Sequence, residues 1–156
     1  MKAVIVYDSL HGSTEKCARQ LRELINGDVQ TVSLQKNHEI NLNDFDTVII
    51  GGSIHMGVIQ TRVENFISKN QAQLLEKQIG LYLCCMEEGD VAQQQFNKAY
   101  PDNLRNKAKA LGLFGGEFNL RKMSFFEKKL TRKLTGITSS VSKINEEAIR
   151  SFAEKF

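Results

Sequence analysis

The chain has 156 residues, enough for one domain and too few for two comfortable ones. Its apolar share of 41% and charged share of 25% are those of a globular chain with one core, and a net charge of +3 is too small to imply nucleic acid. The three cysteines, Cys17, Cys84 and Cys85, make no disulfide framework and suit a reducing cytosol, and no run reads as a signal peptide or a membrane span.

The elements alternate along the chain. Lys2–Tyr7 reads as a buried strand, and residues 15–26 as a helix with Cys17, Ala18, Leu21, Leu24 and Ile25 on one side. Strands follow at residues 29–34 and 45–51. The second is continuously apolar, as expected for burial on both faces. Thr61-Arg62-Val63-Glu64 has capping-box spacing and opens a helix toward Lys69. Residues 79–85 form the fourth strand. Asp90-Val91-Ala92-Gln93 opens a helix that breaks near Pro101 and resumes toward Ala110. Residues 111–118 form the fifth strand and residues 146–156 the closing helix. This alternation predicts a three-layer α/β sandwich on a five-stranded parallel sheet in the order 2-1-3-4-5. Ligands then bind beyond the carboxyl ends of the strands, where the loops after strands 1, 3 and 4 meet.

The first of those loops is Ser9-Leu10-His11-Gly12-Ser13-Thr14. Gly, Ser and Thr at a helix start let backbone N–H groups and hydroxyls close around a phosphate. The lysine of G-x-x-x-x-G-K-[ST] is missing, and so is G-x-G-x-x-G, which leaves a monophosphate held by neutral donors. The second loop, Ser53-Ile54-His55-Met56-Gly57, and the third, Cys84-Cys85-Met86-Glu87, provide walls for a flat ring. Cys84 and Cys85 are strand neighbours and point to opposite faces. No side chain stands out as a general base, and no set of metal ligands is visible.

The first loop resembles the flavodoxin phosphate loop, [TS]-x-T-G-x-T, at Ser9, Gly12 and Thr14, with Ser13 in a free position and His11 where a hydroxyl is usual. The stretch Ile49-Ile50-Gly51-Gly52-Ser53-Ile54-His55-Met56-Gly57 is similar to the exit of strand 3 in the flavodoxin-like menaquinone-dependent protoporphyrinogen dehydrogenases. Gly115-Gly116-Glu117-Phe118 and Lys133-Leu134-Thr135-Gly136 resemble the ends of that family's long final loop. The resemblance implies the flavodoxin-like fold and flavin mononucleotide (FMN) as cofactor, bound at Ser9–Thr14, Ser53–Gly57 and Cys84–Glu87. It also implies oxidation of protoporphyrinogen in haem biosynthesis, with a quinone or another redox partner as acceptor. A flavodoxin-type electron carrier without a substrate of its own is the alternative.

The segment at residues 119–143 exceeds what a minimal connection needs. Ser124-Phe125-Phe126-Glu127 is a capping box, and Gly136 a stop. Between them Phe126, Leu130 and Leu134 recur every fourth residue among Lys128, Lys129, Arg132 and Lys133, with Arg121 and Lys122 just before. This basic amphipathic helix is expected either to pack on its own domain or to meet an anionic substrate or the inner face of the cell membrane.

Overall fold

Val4 and Val6 of β1 (Lys2–Tyr7) face one apolar cluster, and Ile5 and Tyr7 face another on the opposite side. A strand buried on both faces belongs at the centre of a parallel sheet, and β1 lies between β2 (Asp28–Ser33) and β3 (Thr47–His55). The computed structural model describes residues 1–37, 39–118, 124–135 and 140–156. β4 (Val58–Ile59) folds back antiparallel on β3. β5 (Gln78–Cys84) pairs with β3, and β6 (Ala110–Leu113) with β5. The order is therefore β2-β1-β3-β5-β6. Without the two-residue β4 this is the predicted 2-1-3-4-5 arrangement.

α1 (Ser13–Leu24) and α6 (Glu146–Ala153) cover one face through Cys17, Leu21, Ile149 and Phe152. α2 (Thr61–Leu74), α3 (Gly89–Ala99) and α4 (Asp102–Lys107) cover the other through Val63, Phe66, Phe96 and Leu104. Pro101 divides α3 from α4 as the sequence predicts.

Several boundaries differ from expectation, each for a local reason. α1 begins at Ser13, two residues early, because Gly12 (φ 98°) makes the turn. It ends at Leu24, where Ile25 is already extended. β3 starts at Thr47 rather than at residue 45, since Phe45 closes a short 3-10 turn over Leu42–Asp44. It continues to His55, because pairing with β4 extends it. The capping boxes at Thr61 and Asp90 do not form: Gln60 and Glu88 are the cap residues, neither with a side-chain cap bond. The predicted strand over 111–118 breaks after Leu113. Gly115 (φ 72°) turns the chain away, and β7 (Glu117–Phe118) pairs instead with β8 (Val141–Ser142).

β7 and β8 carry the expected insertion and its helix α5 (Phe125–Thr135). Its base is pinned. Lys143 N–H donates to Gly116 O (2.7 Å), Asn145 N–H to Phe114 O (2.9 Å) and Cys85 N–H to Gly115 O (2.9 Å). A Cβ on Gly115 would lie 1.9 Å from the Lys143 carbonyl, so only glycine fits there. The Ser124 cap is realised: Glu127 N–H donates to Ser124 Oγ (3.2 Å). Arg121, Lys122 and the predicted stop at Gly136 lie outside the described residues.

Candidate functional site

The start of α1 is held from below. Tyr82 of β5 reaches across the sheet and donates its hydroxyl to the Thr14 carbonyl (3.0 Å). It passes over Gly51 of β3, where a Cβ would fall 1.9 Å from the Tyr82 ring. Phe114 stacks on the same ring (centroids 4.9 Å apart, 20°). Burial raises the Tyr82 hydroxyl well above its ordinary range, so it stays a neutral donor.

Above this floor lies the loop from Ser9 to Thr14. Ser9 Oγ accepts from Gly12 N–H (3.0 Å), which folds the loop on itself. Gly12 is the cap position of α1 and has no side chain to occupy the first-turn N–H groups. The hydroxyl oxygen of Thr14 is buried and makes no well-formed hydrogen bond, with the Cys84 thiol beside it. A helix start with free N–H groups and an orphaned hydroxyl is the donor set that a phosphate monoester completes. The residues present therefore fit the phosphate group expected from the sequence.

A cleft of about 520 Å³ opens beside this loop. The first loop gives it Leu10, His11 and Ser13. The strand 3 exit gives Ser53, Ile54, His55, Met56 and Gly57, and the strand 5 exit gives Cys84, Cys85, Met86 and Glu87. The structure thus brings three separate predicted loops to one cleft. Ser9, Gly12 and Thr14, predicted with them, are not among the residues that line it. Met56 (φ 53°) and Gly57 (φ 81°) make the two-residue turn between β3 and β4 with both residues left-handed, as a tight hairpin requires. This holds Met56 at the rim, 62% exposed.

The sequence does not reveal the fourth wall. Leu130, Thr131 and Leu134 of α5 line the cleft together with Glu117, Glu127 and Lys143. Of the predicted stripe, Leu130 is half-buried in the cleft wall and Leu134 lies at its edge, whereas Phe126 points to solvent beside Phe125. Glu127 also ties α5 to the phosphate loop: its Oε2 lies 2.7 Å from His11 Nε2, and the His11 and His55 rings meet edge-on at 6.1 Å. Among the described residues no cluster of His, Cys, Asp and Glu has the arrangement of a metal site.

Cys84 and Cys85 do face opposite sides of the sheet. Cys84 meets Cys17 at 3.7 Å between sulfurs, a contact between distant positions that spacing cannot disclose. The hydrogen bond to Cys17 and burial hold the Cys84 thiol well above its ordinary range, and burial raises that of Cys85. Both are buried thiols whose raised pKa favours the protonated form.

Residues 4–144 match the sequence profile of the flavodoxin domain. No curated protein matches the chain. Among solved structures, the rubredoxin oxygen:oxidoreductase of Desulfovibrio gigas is similar with a TM-score of 0.61 and 18% identity, over 99% of this chain and 34% of that one. Flavodoxin 1 of Bacillus cereus gives 0.54 and 18%, over 74% of this chain and 82% of its own. The FMN-bound flavodoxin of Fusobacterium nucleatum gives 0.51 and 16%, over 71% and 69%. The chain spans about a third of the length of the Desulfovibrio enzyme. At these identities the likeness is one of fold.

Proposed function

The chain belongs to the flavodoxin domain family, and on that premise we propose that it is an FMN-dependent oxidoreductase with a substrate of its own. The reaction is of the kind carried out by menaquinone-dependent protoporphyrinogen dehydrogenase, with a quinone as acceptor. FMN supplies hydride and single-electron chemistry that no side chain of the cleft possesses. The first-turn N–H groups of α1 and the Thr14 hydroxyl receive its phosphate, and the loops at Ser53–Gly57 and Cys84–Glu87 bound its ring.

The observation that carries an enzymatic reading is α5. A protein that only relays electrons needs an exposed ring edge. Here Glu127, Leu130, Thr131 and Leu134 stand across the cleft from the ring loops. Leu130 and Leu134 offer an apolar wall to a flat substrate, and Lys143 at the rim, paired with the exposed Glu88 (3.6 Å), offers a cation that the acid groups of a substrate would take over. The outer side of α5 exposes Phe125 (83%) and Phe126 (73%) near Lys128, Lys129, Arg132 and Lys133. That pairing of rings and cations suits an anionic membrane surface, where quinones reside. No helix among the described residues is long and apolar enough to cross a membrane.

The test is anaerobic mixing. The purified protein is expected to be yellow and to release FMN on denaturation. Protoporphyrinogen IX should bleach the flavin absorbance and menadione should restore it. Fast reoxidation by the quinone without bleaching by the porphyrinogen would leave a quinone-linked flavoprotein acting on another donor. Failure of both would favour the flavodoxin-type carrier. The exposed Leu10, Met56 and Val58 at the rim would then be its docking patch.

A further inference from the structure

β1 ends in a carboxylate, Asp8, whose side chain is 1% exposed, one residue before the phosphate loop. A buried negative charge is a poor neighbour for a phosphate dianion, because little water screens the two. Yet this carboxylate shapes the loop. Its Oδ1 accepts from Gln35 Nε2 (2.8 Å), and the same amide donates to the Ser9 carbonyl (2.7 Å). Its own carbonyl accepts from Gln60 Nε2 (3.2 Å), which also donates to Ser53 Oγ (2.6 Å), while Gln60 Oε1 accepts from Ser53 N–H (2.9 Å). Asp8 therefore stands at the junction of the phosphate loop and the ring loop.

The remaining oxygen, Oδ2, lies 3.3 Å from Arg62 Nη1. Arg62 is the second residue of α2, where the helix dipole disfavours a cation. Its position is explained by Asp8. Another cation of this corner, Lys16, is engaged elsewhere, with Glu117 (3.8 Å). Among the described residues Arg62 is the cation that meets Asp8.

We propose that Arg62 is a positioning residue of the phosphate site and sets its preference for a phosphorylated flavin. It neutralises Asp8, so the carboxylate can brace Ser9 through Gln35 without repelling the ligand phosphate. The inference rests on the FMN reading above. It separates two ligands of one shape: FMN carries a dianion into the corner, and riboflavin carries a neutral hydroxyl.

The experiment measures Kd for FMN and for riboflavin by fluorescence quenching on flavin-free protein. Arg62→Met should reduce the preference for FMN about tenfold while changing the riboflavin Kd less than threefold. Adding Asp8→Asn to that variant removes the unpaired charge and should restore the preference to within threefold of wild type. Equal weakening of both flavins, or no recovery in the double variant, overturns the proposal. Should Arg62→Met alone not fold, Arg62→Lys and the double variant carry the test. Both keep the charges balanced, and loss of the FMN preference in either overturns it. A wild-type chain that binds no FMN would instead overturn the functional reading itself.

Discussion

Thr14 combines two roles that ordinarily fall to different residues. Its carbonyl is fixed by Tyr82, and its hydroxyl is buried beside the Cys84 thiol without a well-formed hydrogen bond. A carboxylate in its place would face the ligand phosphate, so Thr14→Asp should leave the protein folded but free of FMN, read from the flavin absorbance of the purified variant. Tyr82→Phe removes one buried hydrogen bond to the Thr14 carbonyl, which keeps its helical bond within α1. It should cost about 0.5–1.5 kcal/mol in denaturant unfolding. Gly51→Ala drives a methyl into the Tyr82 ring, which Phe114 stacks against. It should cost at least as much and weaken FMN binding too, since the ring cannot move without releasing Thr14. A variant as stable as wild type would mean that β3 and β5 can separate locally.

At the scale of elements, α5 divides its apolar residues between two surroundings. Leu130 and Leu134 face the cleft, while Phe125 and Phe126 face solvent. Changing Lys128, Lys129, Arg132 and Lys133 to Gln should abolish co-sedimentation with anionic vesicles and leave FMN content unchanged, because none of the four lines the cleft. Wild-type binding should weaken at high salt and vanish on neutral vesicles, each basic residue near the surface contributing on the order of 1 kcal/mol. If wild type ignores anionic vesicles, the membrane reading fails. Glu127 caps α5 through its backbone N–H, accepts from the Ser124 hydroxyl at Oε1 (3.3 Å) and meets His11 through Oε2, so Glu127→Ala should keep the backbone part of the cap but loosen α5 from the Ser9–Thr14 loop. Faster FMN release would be the readout.

For the whole molecule, the buried acids of the core set an alkaline limit. Cys84, Cys85, Tyr82 and Tyr100 are all raised, Cys84 by its bond to Cys17 and by burial, the others chiefly by burial. In the folded state each holds its proton to higher pH than in the unfolded chain. The folded state thus binds more protons once the unfolded thiols begin to ionise, and stability falls with rising pH from there. Urea midpoints should be flat near neutrality and drop from about pH 9 upward. Cys17→Ser should blunt the fall by removing one of its causes. A midpoint that is flat to pH 11 would mean these groups do not titrate differently on folding.

The chain's alternating pattern suffices for the sheet, because strands buried on both faces must be apolar throughout, and Val4-Ile5-Val6 and Val48-Ile49-Ile50 carry that mark locally. The turn over Ser9–Thr14 is legible for the same reason: a turn and a helix start are neighbours in sequence. Boundaries were less so. The Thr61 and Asp90 caps match a spacing, but Gln60 is drawn to Ser53 and Asp8, and α3 begins at Gly89 instead. The tertiary structure alone decides what depends on residues far apart in the chain: Tyr82 crossing Gly51 to reach Thr14, Cys84 against Cys17, Asp8 between Gln35 and Arg62, and α5 as the fourth wall of the cleft. A helical period records that one side of α5 is apolar. Which of Phe126 and Leu130 finds the cleft is decided by the pinned base at Gly115 and Lys143 and by Glu127 meeting His11, contacts that exist only once the sheet has brought those segments together.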